Sequence, residues 1–163
     1  MKVGVVSDTH NNLKNIKKIV TLFNTLEVDL VIHTGDITNT NSLEKFAGLK
    51  SPLYGVYGNN DLQEKGLDDI ALKHNFNFKN PPFLLEKANK KIAIFHEPDS
   101  IEQFLLEKKN VDVVLHGHTH RYRKEIINNI LFFNPGESAG MLKGKNAIGI
   151  LDLGDLSTET IYF

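Results

Sequence analysis

Seven side chains with metal-ligand chemistry follow short apolar runs in this chain. They are Asp8, His10, Asp36, Asn59, His96, His118 and His120. Carboxylate, imidazole and amide groups without sulfur form a mixed oxygen and nitrogen set, which suits Mn²⁺, Fe²⁺ or Zn²⁺ better than Ca²⁺. The chain contains no cysteine, so a thiolate zinc site, a disulfide framework and a cysteine nucleophile are excluded.

The number of these side chains indicates two ions rather than one. The set exceeds the ligands of one tetrahedral site, and it divides between two ions if one carboxylate is shared. Two metals roughly 3.5–4 Å apart can clamp both sides of an in-line phosphoryl displacement. Taken singly, Asp8 also suits a helix N-cap and Asp36 an ordinary turn. The prediction of a two-metal site therefore rests on the repeated occurrence of ligand-type residues after successive apolar runs.

The apolar runs themselves are typical of buried strands. They lie at residues 3–6, 30–32, 53–57, 92–95 and 111–115 and lack clean polar alternation. Between the first two runs, apolar side chains recur three or four apart over residues 13–26, which predicts an amphipathic helix. A second helix is predicted over residues 43–49. A third begins at Ser100, where Gln103 completes a capping box.

The order of these elements predicts the sheets. Strand–helix–strand succession in the first half implies right-handed crossovers and mainly parallel strands. In the second half, polar turns at residues 87–90, 128–129 and 154–155 separate apolar runs, which predicts antiparallel hairpins. We therefore predict one domain over residues 1–163, with two packed mixed sheets flanked by helices. Ligands of open α/β sheets bind at the carboxyl ends of parallel strands, which is where the ligand-type side chains fall.

Bulk composition argues against several classes of partner. The 163 residues include 19 basic and 20 acidic side chains, a formal net charge of −1. No basic surface for nucleic acid or an anionic membrane is therefore indicated. No stretch approaches the roughly 20 apolar residues of a membrane span, and the start of the chain does not resemble a signal peptide. We expect a cytoplasmic protein, with Lys108, Lys109 and residues 143–145 on its solvated surface.

Five motifs resemble, in order, the blocks of the calcineurin-like metallophosphoesterases. They are Asp8-x-His10, Gly35-Asp36, Gly58-Asn59-Asn60-Asp61, His96 and Gly117-His118-Thr119-His120. The short chain and Asn134-Pro135-Gly136 are similar to the small phosphodiesterase subgroup of bacteria and archaea. This resemblance implies a four-layer αββα sandwich and hydrolysis of phosphate esters by a metal-activated water. It also implies a homodimer.

The resemblance further implies a role for each ligand-type side chain. The first metal takes Asp8, His10 and His120, the second takes Asn59, His96 and His118, and Asp36 bridges both. The residues implied nearest to the reaction are Asp36, Asn59 and His96. Two divalent ions are implied, with Mn²⁺ favoured and Ni²⁺, Fe²⁺ or Zn²⁺ as alternatives.

Two positions depart from the family pattern. Asn60 stands where family phosphatases commonly have a histidine, and an amide cannot act as a general acid near neutral pH. This favours diesters with good leaving groups over monoesters. Glu97 stands where glycine is usual. Its carboxylate would either hydrogen-bond a histidine ligand or narrow the substrate entrance, and the sequence leaves both readings open.

Several other polar residues receive weaker predictions. His33 and His116 lie within apolar runs, which indicates hydrogen-bonded structural histidines. Asp61 either orients a neighbouring ligand or closes a turn, and Arg121 and Arg123 are candidates for phosphate contact.

Our hypothesis is a binuclear-metal phosphodiesterase in which a hydroxide held between the metals attacks phosphorus. The alternatives are a phosphomonoesterase acting on a nucleotide or small metabolite, and a non-catalytic protein-binding scaffold of the same fold.

Overall fold

The computed structural model describes residues 1–107 and 110–163, which form eleven strands and four α-helices. The strands are β1 (Lys2–Val6), β2 (Leu30–His33), β3 (Leu53–Val56), β4 (Asn77–Lys79), β5 (Phe83–Lys87), β6 (Lys90–Ile94), β7 (Val113–Leu115), β8 (Arg123–Ile127), β9 (Ile130–Asn134), β10 (Ala147–Asp152) and β11 (Thr158–Tyr162). The helices are α1 (Leu13–Thr25), α2 (Thr40–Lys45), α3 (Leu67–Lys73) and α4 (Ile101–Glu107). The surface prediction for Lys108 and Lys109 lies outside the described residues.

The described strands form two mixed sheets. The first has the order β11-β10-β1-β2-β3-β4, in which β1 to β4 run parallel and β10 runs antiparallel to β1. The second has the order β5-β6-β7-β9-β8, with a parallel centre and antiparallel edges. The predicted parallel first half and the three hairpins β5–β6, β8–β9 and β10–β11 are confirmed.

Apolar side chains from both sheets form a shared core that includes Val5, Ile32, Ile94 and Phe133. The opposite face of the first sheet packs against α1, α2 and α3, and that of the second sheet packs against α4. The predicted four-layer αββα sandwich is confirmed. Because the central strands are covered on both faces, they read in sequence as apolar runs without alternation.

The element bounds differ from the predictions where side chains cap the backbone. The second helix begins at Thr40 rather than residue 43, because the Asn39 side chain accepts a hydrogen bond from the Ser42 N–H, and it passes into a 3₁₀ turn at Phe46–Gly48. The third predicted helix begins at Ile101, after a 3₁₀ turn at Pro98–Ser100. The helix α3 and the strand β4 were not predicted, since both are short. None of the helices in the described part of the chain could cross a membrane.

The register of the parallel strands brings the carboxyl ends of β1, β2, β3, β6 and β7 to one edge of the molecule. Val6 pairs with His33, and His33 pairs with Gly55, so β1, β2 and β3 end level with one another. In the second sheet, Ile94 pairs with Leu115, so β6 and β7 also end together. All seven ligand-type side chains lie in the loops that leave these five strands.

Candidate metal centre

The first group of ligand atoms comes from the loops after β1 and β7. Atoms of Asp8, His10 and His120 all lie within 4.8 Å of one another. His120 Nε2 is 3.7 Å from Asp8 Oδ1, and the rings of His10 and His120 are 5.5 Å apart. Asp8 is fully buried, whereas the two histidines are half-buried. We refer to these three residues as the first cluster.

The second group comes from the loops after β3, β6 and β7. The side-chain oxygen of Asn59 lies 3.0 Å from His96 Nε2 and 3.1 Å from His118 Nδ1, and these two ring nitrogens are 3.3 Å apart. His96 is buried, but Asn59 and His118 are exposed. This second cluster therefore forms the side from which solvent and a ligand can enter.

Asp36 lies between the two clusters. Its Oδ1 is 3.4 Å from His96 Nε2, and its Oδ2 is 3.8 Å from His10 Nε2. Atoms of Asp8, Asp36 and His96 also lie within 4.8 Å of one another, so the clusters are contiguous. The structure thus brings all seven predicted side chains together, with one carboxylate turned toward both groups of histidines.

The hydrogen bonding of the histidines supports a divalent-cation site independently of the sequence motifs. His10 Nε2 is buried and has no hydrogen-bond partner among the described residues. In its neutral form, His96 donates from Nδ1 to the Thr34 carbonyl at 2.9 Å, which leaves the Nε2 lone pair directed at Asp36 and Asn59. Imidazole lone pairs that converge on buried carboxylates form a divalent-cation site in which a hydrogen bond to the other ring nitrogen sets the tautomer.

Charge within the site shifts the pKa values of its buried groups. Burial disfavours the charged forms of both Asp36 and His96, but their mutual attraction outweighs it. The pKa of Asp36 therefore falls below its ordinary value, helped by hydrogen bonds from Asn60, and the pKa of His96 rises. Burial raises the pKa of Asp8, although a hydrogen bond from the Ser7 hydroxyl opposes the rise. A bound cation would favour the ionised carboxylates.

The backbone at the site is held in an uncommon conformation. Five of the seven residues have positive φ angles: Asp8 (49°), His10 (45°), Asp36 (60°), His118 (67°) and His120 (57°). Non-glycine residues rarely adopt this region, although aspartate and histidine do so more than most. Such conformations persist where surrounding contacts over-determine them, so the hydrogen bonds that brace these loops matter for the site.

Asp61 is the main brace of the Asp36 loop. Its buried carboxylate accepts hydrogen bonds from the backbone N–H groups of Asp36, Ile37, Thr38 and Gly58 at 2.7–2.9 Å. These bonds join the loop after β2 to the loop after β3. The structure supports both interpretations left open by the sequence, since Asp61 braces the Asp36 loop and its own N–H closes the turn by donating to the Gly58 carbonyl at 3.0 Å.

The loop after β7 is braced against β1. The His118 backbone N–H lies 3.2 Å from both carboxylate oxygens of Asp8. A Cβ atom at Gly117 would overlap the Ser7 hydroxyl, so the close approach of these loops requires glycine. Asn134 donates to the Gly117 carbonyl at 3.1 Å from the opposite side. The Asp8 carboxylate is thereby held in one orientation.

His33 joins the loops after β1 and β2. Its Nδ1 accepts a hydrogen bond from the Gly35 N–H at 3.1 Å, so Nε2 carries the proton and donates to the Thr9 hydroxyl at 3.0 Å. The ring is fully buried, and burial lowers the pKa of His33 to about 3. His116 is also buried, with its pKa lowered to about 4. The prediction that both are hydrogen-bonded structural histidines is confirmed.

The neutral state of His33 predicts a pH dependence of folding. An unfolded chain protonates this histidine below about pH 6.5, whereas the folded protein resists protonation down to about pH 3. The contribution of His33 to stability is therefore complete above pH 6.5 and is lost as the pH falls, by at most about 1.4 kcal/mol per pH unit. The stability advantage of the wild type over His33→Gln should narrow between pH 7 and pH 5 in urea unfolding of metal-free protein.

The control for this experiment is Thr9→Val, which removes the hydroxyl partner but keeps the histidine. Its unfolding free energy should keep the steep pH dependence of the wild type. A constant difference between wild type and His33→Gln across the range would contradict the neutral assignment.

The remaining predicted residues fall at different places around the site. Asn60 turns onto Asp36, donating from its side chain to Oδ2 at 2.7 Å and from its backbone to Oδ1 at 3.0 Å. Glu97 is exposed and makes no hydrogen bond to any described histidine. Arg123 stacks over Phe132 and donates to His116 at 3.3 Å, so it is engaged away from the clusters. Arg121 is exposed beside His120.

A four-layer sandwich that carries two adjoining clusters of histidine ligands, with Asp36 between them, supports assignment to the metal-dependent hydrolases. The calcineurin-like phosphoesterase superfamily domain matches residues 1–156. The chain therefore belongs to the calcineurin-like phosphoesterase superfamily. The predicted family and enzyme class, a metal-dependent phosphoric ester hydrolase, are confirmed.

Individual relatives agree with this membership. Phosphodiesterase MJ0936 of Methanocaldococcus jannaschii is 36% identical over 154 residues, which cover 93% of each chain. A solved structure described as a novel archaeal phosphodiesterase superposes with a TM-score of 0.90 at 33% identity, covering all of both chains. Vps29 of Chaetomium thermophilum shares the fold at a TM-score of 0.68 and 15% identity, covering 100% of this chain and 97% of its own.

Proposed function

We propose that the chain is a binuclear-metal phosphodiesterase. The observation that carries this proposal is the position of Asp36, whose two oxygens face ring nitrogens of different clusters at 3.4 and 3.8 Å. The first ion would be held by Asp8, His10 and His120 and the second by Asn59, His96 and His118, with Asp36 available to both. The similarity to a protein named as a phosphodiesterase supports the choice of reaction.

Two divalent ions bound at these residues would supply Lewis-acid charge for the phosphate oxygens and would acidify a water nucleophile. The protein's own residues position the substrate around them. Asn59 Oδ1 faces His96 and His118, so its Nδ2 is left to donate a hydrogen bond to a phosphate oxygen. Because Asn59 and His118 are the exposed members of the site, the substrate enters over the second cluster.

Asn60 affects which phosphate esters are hydrolysed fast, because it stands where a proton donor to the leaving group would be needed. Its side-chain amide is occupied by Asp36 Oδ2, and an amide has no proton to give a departing alkoxide near neutral pH. The leaving group must then depart with little protonation by this residue. The enzyme therefore favours diesters with acidic leaving groups over monoesters, and Asn60 acts by holding Asp36.

Other parts of the proposal concern the working state of the enzyme. The ligand set favours Mn²⁺, with Ni²⁺, Fe²⁺ and Zn²⁺ as alternatives set by availability. We also propose a single domain over residues 1–163, a homodimer as the family resemblance implies, and a cytoplasmic location as the cysteine-free composition favours. Sedimentation equilibrium tests the homodimer.

The direct test compares a diester and a monoester on one metal-stripped preparation. Mn²⁺, Ni²⁺, Zn²⁺ and Mg²⁺ are added separately, and hydrolysis of bis(p-nitrophenyl) phosphate and p-nitrophenyl phosphate is followed. We expect Mn²⁺ to restore turnover of the diester, with kcat/KM at least about tenfold above that of the monoester, a difference of about 1.4 kcal/mol in the barrier. His118→Ala should remove this turnover, whereas the matched control His74→Ala should keep it.

The rival functions give different results in the same assay. Faster hydrolysis of the monoester would identify a phosphomonoesterase. Two bound metals by elemental analysis, without hydrolysis of either ester under any ion, would favour the non-catalytic scaffold.

A further inference from the structure

A small pocket adjoins the first cluster and has no role in the chemistry described above. Its volume is about 200 Å³, and His120 forms one side of it. The other walls include Arg121, Tyr122, Leu142, Lys145 and Tyr162. We refer to it as the His120 pocket. Whole-ligand sites usually measure roughly 300–1,000 Å³, so this pocket has room for one substituent of a substrate.

The walls combine aromatic rings with positive charge. Tyr122 and Tyr162 are 50% and 56% exposed, so both rings are available to a ligand. Arg121 and Lys145 are exposed cations, and no carboxylate is among the described residues that line the pocket. This local excess of positive charge contrasts with the formal net charge of −1 for the whole chain. The chemistry suits a planar ring that carries an anionic group.

Two of the walls are held by buried contacts. The Tyr122 ring packs edge-on against Phe133, with centroids 6.4 Å apart and an interplanar angle of 82°. The fully buried carboxylate of Glu137 accepts hydrogen bonds from the backbone N–H groups of Gly140 and Leu142 at 2.9 Å each. The loop that carries Leu142 is thus anchored to the core. A pocket formed before binding costs less ordering than one assembled by the ligand.

We propose that the His120 pocket binds one ester substituent of the substrate, a nucleoside that carries an additional phosphate group. The inference rests on the proposed phosphodiesterase function and names its substrate class. The scissile phosphate lies at the first and second clusters. The nucleobase lies against Tyr122 and Tyr162, and the additional phosphate pairs with Arg121 and Lys145. Base stacking on tyrosine tolerates different bases, so the pocket selects nucleotides as a class.

Three diesters with the same leaving group test this inference. They are thymidine 3′-phosphate 5′-(p-nitrophenyl phosphate), thymidine 5′-(p-nitrophenyl phosphate) and methyl p-nitrophenyl phosphate. Each reaction consumes water and releases p-nitrophenol, so differences in kcat/KM report the substituent that stays on phosphorus. We expect kcat/KM to fall in that order, by about three- to tenfold at each step, which is the range of a few weak contacts.

Variants assign each step to its residues. Tyr122→Ala and Tyr162→Ala should reduce the ratio of thymidine to methyl substrate, whereas Tyr122→Phe, which keeps the ring, should retain it. The double variant Arg121→Gln/Lys145→Gln should abolish the preference for the 3′-phosphorylated substrate. Lys50→Gln removes an exposed charge beside Ser51 and Pro52, at a different pocket, and should leave all three ratios unchanged.

A binding measurement separates this inference from the proposed function. Thymidine 3′,5′-bisphosphate should bind metal-free protein at least about tenfold more tightly than inorganic phosphate in isothermal titration calorimetry, and the double variant should lose this advantage. Equal kcat/KM for the three diesters, or no advantage of the bisphosphate over phosphate, would overturn the pocket assignment and leave the phosphodiesterase intact. Bisphosphate binding that depends on Arg121 and Lys145, without hydrolysis of any diester, would support the pocket and overturn the phosphodiesterase.

Discussion

Asp36→Asn is expected to lower kcat for bis(p-nitrophenyl) phosphate by about 10²–10³-fold, the scale associated with losing one preorganised electrostatic group. The two oxygens of Asp36 face different clusters, and both also accept hydrogen bonds from Asn60. An asparagine keeps one oxygen and turns an NH₂ group toward the other cluster. That cluster loses an anionic ligand and gains a donor that disfavours a cation.

Metal content and turnover should change together in this variant. Elemental analysis after dialysis against Mn²⁺ should give fewer than two ions per chain, compared with two for the wild type. The matched control is Asp69→Asn, which changes an exposed aspartate in the first turn of α3. Retention of two ions and near-normal turnover by Asp36→Asn would show that Asp36 is not the shared ligand.

The second large effect concerns stability. Asp61→Ala is expected to lower the free energy of unfolding of the metal-free protein by about 4 kcal/mol. Its buried carboxylate accepts from four backbone N–H groups, and buried donors left without an acceptor cost about 1–3 kcal/mol each before the structure relaxes. Asp61→Asn should cost about half as much, because the amide oxygen keeps part of this acceptor capacity. Urea unfolding monitored by circular dichroism measures both values.

An exposed aspartate supplies the comparison for this experiment. Asp155 accepts a hydrogen bond from the Ser157 N–H at 2.8 Å in the solvent-exposed turn before β11. Asp155→Ala should cost less than about 1 kcal/mol, since water can replace the lost acceptor. A similar cost for Asp61→Ala and Asp155→Ala would mean that the loop after β2 keeps its shape without Asp61. Asp61→Ala should also reduce turnover, because the Asp36 backbone N–H is one of the four donors.

Much of the fold could be predicted because the signals are local. Buried parallel strands produce apolar runs, and the polar side chains that follow them mark the strand ends. The hairpins were predicted from their turn residues, such as Asn128 and Asn129, which both adopt positive φ. The failures were also local in origin. Leu67, Ile70 and Ala71 of α3 have helical spacing, but seven residues are too short a window for that period to stand out, and β4 has only three residues. Both elements are stabilised by packing on the core below the first sheet.

The tertiary structure was needed to distinguish alternatives that the sequence left open. An aspartate at position 61 suits both the closure of a turn and the bracing of Asp36. Only the approach of the loops after β2 and β3 shows which backbone N–H groups donate to it. The same holds for His33, whose side chain contacts Thr9, 24 residues earlier in the chain. The sequence named Arg121 as a candidate for phosphate contact but did not indicate the His120 pocket, because the walls come from residues 120–122, 135–136, 142, 145 and 162.

The sequence by itself determined which side chains are available for metal chemistry. It also determined that each of them follows a strand, in the order in which the strands occur along the chain. These properties depend on residue type and short-range periodicity, which are written along the chain. Only the tertiary structure decided that Asp36 faces both clusters, that Asn60 holds Asp36, and that Arg123 is engaged by His116 while Arg121 lies beside a pocket. Such outcomes depend on distances between loops distant in sequence, and those distances are set by strand register and the packing of two sheets against each other.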